Sequence, residues 1–180
     1  MTRMTDPDTP ARSTSGSTSV PAVDPAAFRS VLGRFATGVT VVTTVSTEGK
    51  PVGVTASSFN TLSLDPPLIL WSLALKAPSL SSYRSSGRFA VNILGIDQAA
   101  VALQFARPSN DKFRGIATMP GLGDVPLIAD AIAHLECEVV RRDPGGDHEL
   151  FIGRVLRAAA ADRQPLIYVT GKFGQFEMFA

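Results

Sequence analysis

The sequence predicts a mainly β protein, a barrel with a few helices at its periphery, and two observations support this. Short runs dense in β-branched and apolar residues recur along the chain, and Gly and Pro residues separate them. Helical periodicity is confined to three short stretches. Many short strands joined by turns, with few helices, are typical of a closed β architecture.

Composition excludes several classes of protein. The chain has 180 residues, of which 44% are hydrophobic, so it can form one domain with its own core. Seventeen Lys and Arg residues against sixteen Asp and Glu residues leave a net charge of +1, which favours neither nucleic acid nor an anionic membrane. No apolar run approaches the ~20 residues of a membrane helix. The N-terminus lacks the apolar stretch of a signal peptide. We therefore expect a cytoplasmic protein with no nucleic-acid or membrane partner.

The chain has one cysteine, Cys137, and two histidines, His134 and His148. This excludes an internal disulfide and a Cys-based zinc site, and no metal is expected. Apolar and polar residues alternate around Cys137, so we expect it to pack inward as a small hydrophobe. The same alternation places His134 on the outer face of its strand.

The N-terminal residues 1–23 are rich in Ser, Thr and Pro and nearly devoid of large apolar residues, so we expect a disordered tail. Arginines and hydroxyls in this segment leave a mitochondrial transit peptide open, whereas Asp6 and Asp8 argue against it. The single folded domain is expected over residues 24–180.

A helix is predicted to begin at Asp24, as N-cap, with Pro25 at its first position. Its apolar residues recur at i, i+3, i+4 and i+7, and Thr37-Gly38 ends it. That stripe consists of Phe28, Val31, Leu32 and Phe35.

The remaining elements follow in order from the same signals. We expect strands over residues 39–45 and 52–56 as a hairpin, a loop over 57–67, and a strand over 68–73 buried on both faces. A helix is expected over 77–87, a strand over 88–94, and a helix over 97–106 with Asp97 as N-cap and Val101 and Phe105 facing the core. Residues 107–128 show no period and are expected to form a long functional or interface loop. Strands are expected over 133–140, 149–156, 165–169 and 173–179, with a turn at 143–146.

Common nucleotide and hydrolase motifs are absent. Gly121-Leu122-Gly123 lacks the third glycine of a dinucleotide fingerprint, and no P-loop or G-x-S-x-G elbow is present. His148 has no second histidine four residues later, so the zinc protease motif fails. Any nucleotide must be held by another kind of fold.

Three segments could bind a ligand. Small and hydroxyl residues crowd residues 53–61, where backbone N–H groups and hydroxyls could meet a phosphate or a heteroaromatic edge, or could simply serve a turn. Residues 72–79 could hold an anion near a helix start and Lys76, or could be ordinary capping. His148 beside Asp147 could orient a substrate, or could be a solvated turn residue.

The order of seven segments resembles the flavin reductase-like family, the small reductases that supply reduced flavin to two-component monooxygenases. The segments are FRSVLGRFATGVTVVTT (28–44), GVTASSF (53–59), SLDPPL (63–68), RFAVNIL (88–94), DKF (111–113), GDH (146–148) and G-x-V (153–155). The resemblance covers essentially residues 24–179. It implies a six-stranded split β-barrel of the FMN-binding type, a homodimer, a bound FMN or FAD, and NADH or NADPH as hydride donor.

The resemblance also implies site residues. The flavin ring and ribityl chain should meet Gly53, Val54, Thr55, Ser57 and Ser58, and the same pocket should be lined by Ser72, Leu73 and Ala74. Pro78 and Ser79 should lie near the phosphate, Gln104 and Phe105 near the nucleotide tail or adenine, and His148 near the nicotinamide. Hydride transfer needs stacking and alignment and neither a catalytic triad nor a metal.

Two other functions fit a barrel of this kind. A non-catalytic flavin- or haem-binding protein would keep the phosphate site and lose the nicotinamide face. An oxidase similar to pyridoxamine-phosphate oxidase would need a cluster of basic residues, whereas Lys76 is alone in its segment. The reductase also implies a partner, a flavin-dependent monooxygenase that receives the reduced flavin.

Overall fold

A computed structural model describes residues 21–177 and residue 179. Its main element is a seven-stranded antiparallel sheet. The strands are β1 (Thr37–Gly38), β2 (Thr40–Val45), β3 (Pro51–Ala56), β4 (Asn60–Leu64), β5 (Pro67–Ala74), β6 (Arg88–Ile93), β7 (Thr118–Pro120), β8 (Pro126–Ile128), β9 (Ala133–Gly145), β10 (His148–Ala160), β11 (Ile167–Val169) and β12 (Lys172–Gly174). The helices are α1 (Pro25–Leu32), α2 (Leu80–Ser86) and α3 (Ala99–Ala106).

The sheet curls around an apolar core, which confirms the predicted mainly β, barrel-like class. Trp71 lies at the centre, stacked on Phe151 at 5.0 Å and edge-on to Tyr83 at 5.0 Å between ring centroids. Tyr83 comes from α2, and its hydroxyl donates a hydrogen bond of 2.7 Å to the carbonyl of Val42. This bond and the ring contacts hold α2 over one end of the barrel. The strand order β3-β2-β6-β9-β10-β5-β4 leaves β3 and β4 as edge strands that do not pair with each other, so the sheet is not closed, as expected of a split barrel.

A second core lies on the other face of β2, between that strand and α3, β8 and β11. Phe105, Leu94, Ile128 and Leu166 are buried there. The buried Asn92 donates to the carbonyl of Val41 and accepts from the amide of Ile128, so it joins β6 to β2 and to β8. Phe105 is buried as expected and Val101 packs at the edge of this core.

The predicted loop over residues 57–67 is wrong in part, because Asn60–Leu64 forms β4. The chain reverses at Asp65-Pro66, and the returning segment can therefore pair with β5, with a bulge between Thr61 and Ser63. This adds a seventh strand to the six that the family resemblance implied. β4 was hidden because it is a mostly exposed edge strand, in which Leu62 and Leu64 alternate with polar residues that equally suit a loop.

The expectation that residues 68–73 are buried on both faces is also wrong. In β5 the side chains alternate, so that Ile69, Trp71 and Leu73 face the core while Leu70 and Ser72 lie on the outer face, half-buried. The outer-face residues Leu68, Leu70 and Ala74 are apolar although they are only half-buried, so apolar and polar residues do not alternate in the sequence of this strand.

Residues 107–128 contain structure where a continuous loop was expected. Thr118–Pro120 and Pro126–Ile128 pair as a short hairpin, β7–β8. Phe113 and Ile116 pack against the second core. His134, predicted on the outer face, is half-buried there because its Nε2 contacts the carbonyl of Ile128 at 2.8 Å.

The hairpin β9–β10 is longer than predicted. Thirteen-residue strands meet at a turn of Gly146 and Asp147, so Asp143 and Gly145 belong to β9 and His148 begins β10. Cys137 is 2% exposed and faces the core as predicted. Burial raises the pKa of its thiol to about 12.

The first helix begins as predicted, since the Asp24 carboxylate accepts a hydrogen bond of 2.8 Å from the amide of Ala27. It does not extend to Thr37-Gly38 as predicted, because it ends at Leu32 and Thr37–Gly38 forms β1. None of the residues of α1 is buried, and the apolar stripe points away from the chain. The exposed fractions are 55% for Phe28, 69% for Val31, 56% for Leu32 and 78% for Phe35.

Asp97 does not cap its helix through its side chain, contrary to expectation. It lies in a 3-10 turn, Ile96–Gln98, that precedes α3, and its carboxylate makes two 2.8 Å contacts with Arg163. The Gln98 side chain instead accepts from the amide of Gly95. In α2, Gly87 ends the helix in the left-handed conformation with φ 67°.

The predicted tail lies outside the described residues except for residues 21–23. Among the described helices, none is long and apolar enough to cross a membrane.

Candidate functional site

The corner between β3 and β4 exposes unpaired backbone. Residues 57–59 belong to neither strand, and within the described part of the chain their amides donate no hydrogen bond. Ser57 is exposed, and Ser58 and Phe59 are half-buried. Three consecutive free N–H groups are suited to the acceptor edge of a heteroaromatic ring or to an anion.

The hydroxyl of Ser58 connects this corner to β5 by hydrogen bonds. Ser58 Oγ donates to the carbonyl of Ser72 and accepts from its amide, both at 3.0 Å. Ser72 and Ala74 lie on the outer face of β5, and Ala74 pairs with His148 of β10. Strand geometry puts Ser72 and His148 about 8 Å apart. Ser58, Ser72, Ala74 and His148 therefore form one row, which we call the outer row.

His148 ends the outer row beside the turn of the β9–β10 hairpin. Its Nδ1 lies 2.7 Å from a carboxylate oxygen of Asp147, and the imidazole is 42% exposed. The hydrogen bond with His148 holds the pKa of Asp147 below its usual range. The contact fixes the ring's orientation and leaves Nε2 outside this pair.

Two predicted site residues have side chains in the core. Leu73 is 5% exposed, and Val54 packs against the same core cluster. Only their backbones could meet a ligand.

Four other predicted residues lie on the α3 side of β3, away from the outer row. A Cβ on Gly53 would lie 2.5 Å from Cε1 of Phe105, so the glycine admits the aromatic ring. Thr55 donates a 2.6 Å hydrogen bond to the carbonyl of Ala102. The side-chain amide of Gln104 donates hydrogen bonds to the backbone carbonyls of Lys112 and Arg114. Each therefore has a packing or bonding role in this chain.

Pro78 and Ser79 lie in the segment between β5 and α2. Ser79 precedes α2, its side chain makes no capping hydrogen bond, and its carbonyl accepts from the amides of Ser82 and Tyr83. Their contact with a phosphate stays a prediction.

A cleft of about 870 Å³ opens beside Ser57, between α1 and the segment around β11. Arg29 and Arg34 line it, and neither forms an ion pair among the described residues. The hydroxyl of Thr37, which also lines it, is buried without a hydrogen-bond partner. These three residues were missed, although all lie in the first segment that carried the family resemblance.

Lys112 was also missed, although it lies in the DKF segment. Its ammonium donates to the carbonyl of Phe105 at 2.7 Å and to that of Gly53 at 3.3 Å. Burial lowers its pKa, and it fastens the end of α3 to β3.

A groove of about 900 Å³ continues from His148 between α2 and the β9–β10 hairpin. Three arginines line it: Arg84, Arg141 and Arg142. A molecule that contacts His148 at one end could extend into this groove.

The arrangement supports binding and alignment. Among the described residues there is no group of three metal-ligating side chains. The outer row offers free amides beside Ser58 and an imidazole at His148, which strand geometry places about 8 Å from Ser72. Such a surface can align two reactants without donating or removing a proton.

Comparisons with known proteins show the family of this chain. Residues 32–177 match the family model described as flavin reductase like domain. The chain is 42% identical over 150 residues to a probable flavin reductase of Rhizobium meliloti, covering 83% of this chain but only 48%, about half, of that protein. It is 41% identical over 154 residues to the reductase component of a 4-nitrophenol 4-monooxygenase/4-nitrocatechol 2-monooxygenase of Rhodococcus opacus, covering 86% and 82% of the two chains. A solved structure, the NADH:FAD oxidoreductase SgcE6 of Streptomyces globisporus in complex with NAD and FAD fragments, superposes with a TM-score of 0.81 at 38% identity, covering 88% and 98%.

Proposed function

This chain belongs to the flavin reductase-like family of oxidoreductases, and from that premise we propose that it transfers hydride from NADH to FMN or FAD. When bound, the flavin supplies the hydride acceptor, and the protein supplies the surface on which flavin and nicotinamide stack.

The proposal rests mainly on the free backbone amides of residues 57–59. A flavin ring has acceptor atoms along its pyrimidine edge, and the N–H groups at this corner can donate to them. As negative charge develops on that edge, the same donors stabilise it. Ser58, held by Ser72, fixes the corner in place.

The cleft beside Ser57 suits the flavin's phosphate. Arg29 and Arg34 are cations without a described carboxylate partner, and Thr37 offers an unused hydroxyl. Guanidinium groups bind phosphate through paired hydrogen bonds. We therefore propose that the phosphate of the flavin binds in this cleft, and not at Pro78 and Ser79, where the family resemblance placed it.

His148 is proposed to position the nicotinamide. It lies on the same face as Ser72, about 8 Å away by strand geometry, and Asp147 orients its ring. A nicotinamide there would lie against the flavin, as stacking at ~3–3.5 Å requires. His148 aligns the donor and transfers no proton.

We also propose a homodimer. Phe28, Val31 and Leu32 of α1, together with Phe35 just after it, form an exposed apolar stripe, and β4 carries the 95% exposed Leu64. Apolar surface of this extent is typical of a subunit interface. In residues 107–128, where the sequence indicates a functional or interface loop, Phe113 and Ile116 pack against the second core of this chain, whereas Met119 is 46% exposed. Sedimentation should show a dimer that Phe35→Glu weakens; a wild-type monomer at micromolar concentration would contradict it.

A flavin-dependent monooxygenase is the proposed consumer of the reduced flavin, because the Rhodococcus opacus relative is a monooxygenase reductase component. A cytoplasmic location is part of the same proposal, since Cys137 is a free thiol and suits a reducing compartment.

Ser57→Tyr tests the flavin site. The new ring would occupy the corner, so flavin binding, measured by quenching of flavin fluorescence, should fall at least tenfold. Thr47→Tyr is the matched control, because Thr47 is exposed at the opposite end of the β2–β3 hairpin. Retained flavin affinity in the Ser57 variant would place the site elsewhere. Flavin binding by the wild type without NADH oxidation would favour a non-catalytic flavin carrier.

A further inference from the structure

The turn end of the β9–β10 hairpin contains a glycine whose missing side chain affects the outer row. Gly145 of β9 pairs with His148 of β10, so the two residues lie on the same face of the sheet. The backbone at Gly145 is one that any residue can adopt, because the positive φ of this turn, 69°, belongs to Gly146. The turn itself therefore does not require a glycine at position 145.

The space that a side chain on Gly145 would need is taken by Leu150. A Cβ on Gly145 would overlap Cδ1 of Leu150. The nearest atom of any other described residue is the carbonyl oxygen of His148, at 3.6 Å, which is an ordinary contact distance. Within the described part of the chain, the packing of Leu150 alone thus calls for a glycine here.

This packing shows which way the side chain of Leu150 extends. Leu150 lies on β10, with Ser72 of β5 opposite it on one side and Asp143 of β9 on the other. Because its Cδ1 reaches the space above Gly145, the side chain extends over β9 and away from β5. The outer surface at Ser72 and Ala74 is therefore left with small side chains.

That surface is where the proposed function places the nicotinamide, between the flavin ring and His148. Two rings can stack at ~3–3.5 Å there only while no large side chain covers Ser72. Leu150 could cover it, because Leu150 and Ser72 are direct cross-strand partners. The Cβ atoms of such partners lie ~4.5–5.5 Å apart, within reach of a leucine side chain.

We infer that Gly145 is a positioning residue for the hydride donor, because by accepting Leu150 over β9 it keeps the nicotinamide surface of the outer row open. The inference rests on the proposed function and goes beyond it, since it assigns the shape of the donor site to a glycine that acts through another residue. With a Cβ at position 145, Leu150 must turn to another staggered rotamer. A rotamer toward β5 covers Ser72 and Ala74 and buries more apolar surface than one that points into water.

A purely structural role for Gly145 makes a different prediction. It would lower the urea midpoint of Gly145→Ala and leave the KM for NADH unchanged. In the donor-site role the midpoint changes little, because the atom in the way is the end of a flexible side chain on a half-buried surface. The KM rises instead, so the two roles are separable.

The test uses Gly145→Ala, alone and in a Leu150→Ala background. We expect Gly145→Ala to raise the KM for NADH at least tenfold, with a smaller change in kcat and less than a twofold change in flavin affinity. In the Leu150→Ala background, which has no Cδ1 to displace, the same change should alter the KM less than twofold. Gly174→Ala is the matched control, because a Cβ on this strand glycine would meet no atom within 4 Å.

A crystal structure of Gly145→Ala tests the displacement independently of activity. We expect Leu150 to lie over Ser72; a Leu150 that stays over β9 or turns into solvent would overturn the inference. An unchanged KM for NADH, an equal rise of the KM in the Leu150→Ala background, or a Gly145→Ala variant that does not fold would overturn it as well. Absence of NADH oxidation by the wild type with either flavin would instead refute the proposed function, and the donor site with it, wherever Leu150 lies.

Discussion

Replacing Gly53 by alanine tests why this position is a glycine. A Cβ there would lie 2.5 Å from Cε1 and 2.7 Å from Cδ1 of Phe105, where carbon atoms normally stay ~3.5–4.0 Å apart. The ring would have to withdraw by ~1 Å. It has little room, because Phe105 is fully buried and packs edge-on against Phe113 at 4.9 Å. Overpacking of this kind costs ~1–3 kcal/mol.

Urea unfolding followed by the fluorescence of Trp71 measures this cost. Phe105→Leu removes the clashing ring atoms, so in that background the alanine should cost less than ~1 kcal/mol, and the double-mutant cycle should show coupling of about 1 kcal/mol or more. Additive costs would refute the packing explanation. The folded Gly53→Ala variant should keep its flavin affinity, and binding should fall only as far as the protein unfolds. A tenfold loss of affinity in the fully folded variant would mean that a ligand requires the glycine.

Three further predictions follow from the core and from the outer row. Tyr83→Phe should lower the free energy of unfolding by ~1–2 kcal/mol, because the buried carbonyl of Val42 loses its donor; an unchanged urea midpoint would contradict this. Cys137 should not react with a thiol reagent at pH 8–9 until the protein unfolds, because burial raises its pKa to about 12. Since the unfolded thiol ionises near pH ~8.5 and the folded one does not, stability should fall as the pH rises above that value, and a thiol that reacts in the folded protein would show that the site opens. His148→Ala should raise the KM for NADH and lower kcat/KM by up to ~100-fold while leaving flavin affinity unchanged; unchanged constants would remove His148 from the site.

Local signals predicted the elements that depend on neighbouring residues. Asp24 and Pro25 start α1, and Gly49, with φ 73°, allows the β2–β3 turn that the sequence predicted. The strand β4 was missed because its pairing is with β5, and its own five residues, with Leu62 and Leu64 among polar neighbours, carry only a weak strand signal. The apolar stripe of α1 was visible in the sequence, but whether it faces this chain or another surface depends on tertiary packing.

For the candidate site too, local sequence signals predicted some residues, whereas the rest depend on tertiary structure. Hydroxyl and small residues at 53–61 marked a possible ligand site, but only the family resemblance related them to Ser72 and His148. The sheet order β9-β10-β5 is what places His148 beside Ala74, and no local pattern encodes that order. The arginine groove was not predicted, because Arg84 and Glu149 are 65 residues apart in sequence.

The most direct test of the central claim is a structure determined with FMN and NAD⁺. We expect the flavin ring against the amides of residues 57–59, and the nicotinamide between that ring and His148 along the outer row. A flavin ring bound on the α3 side of β3, at Gln104 and away from residues 57–59, would contradict the proposed site.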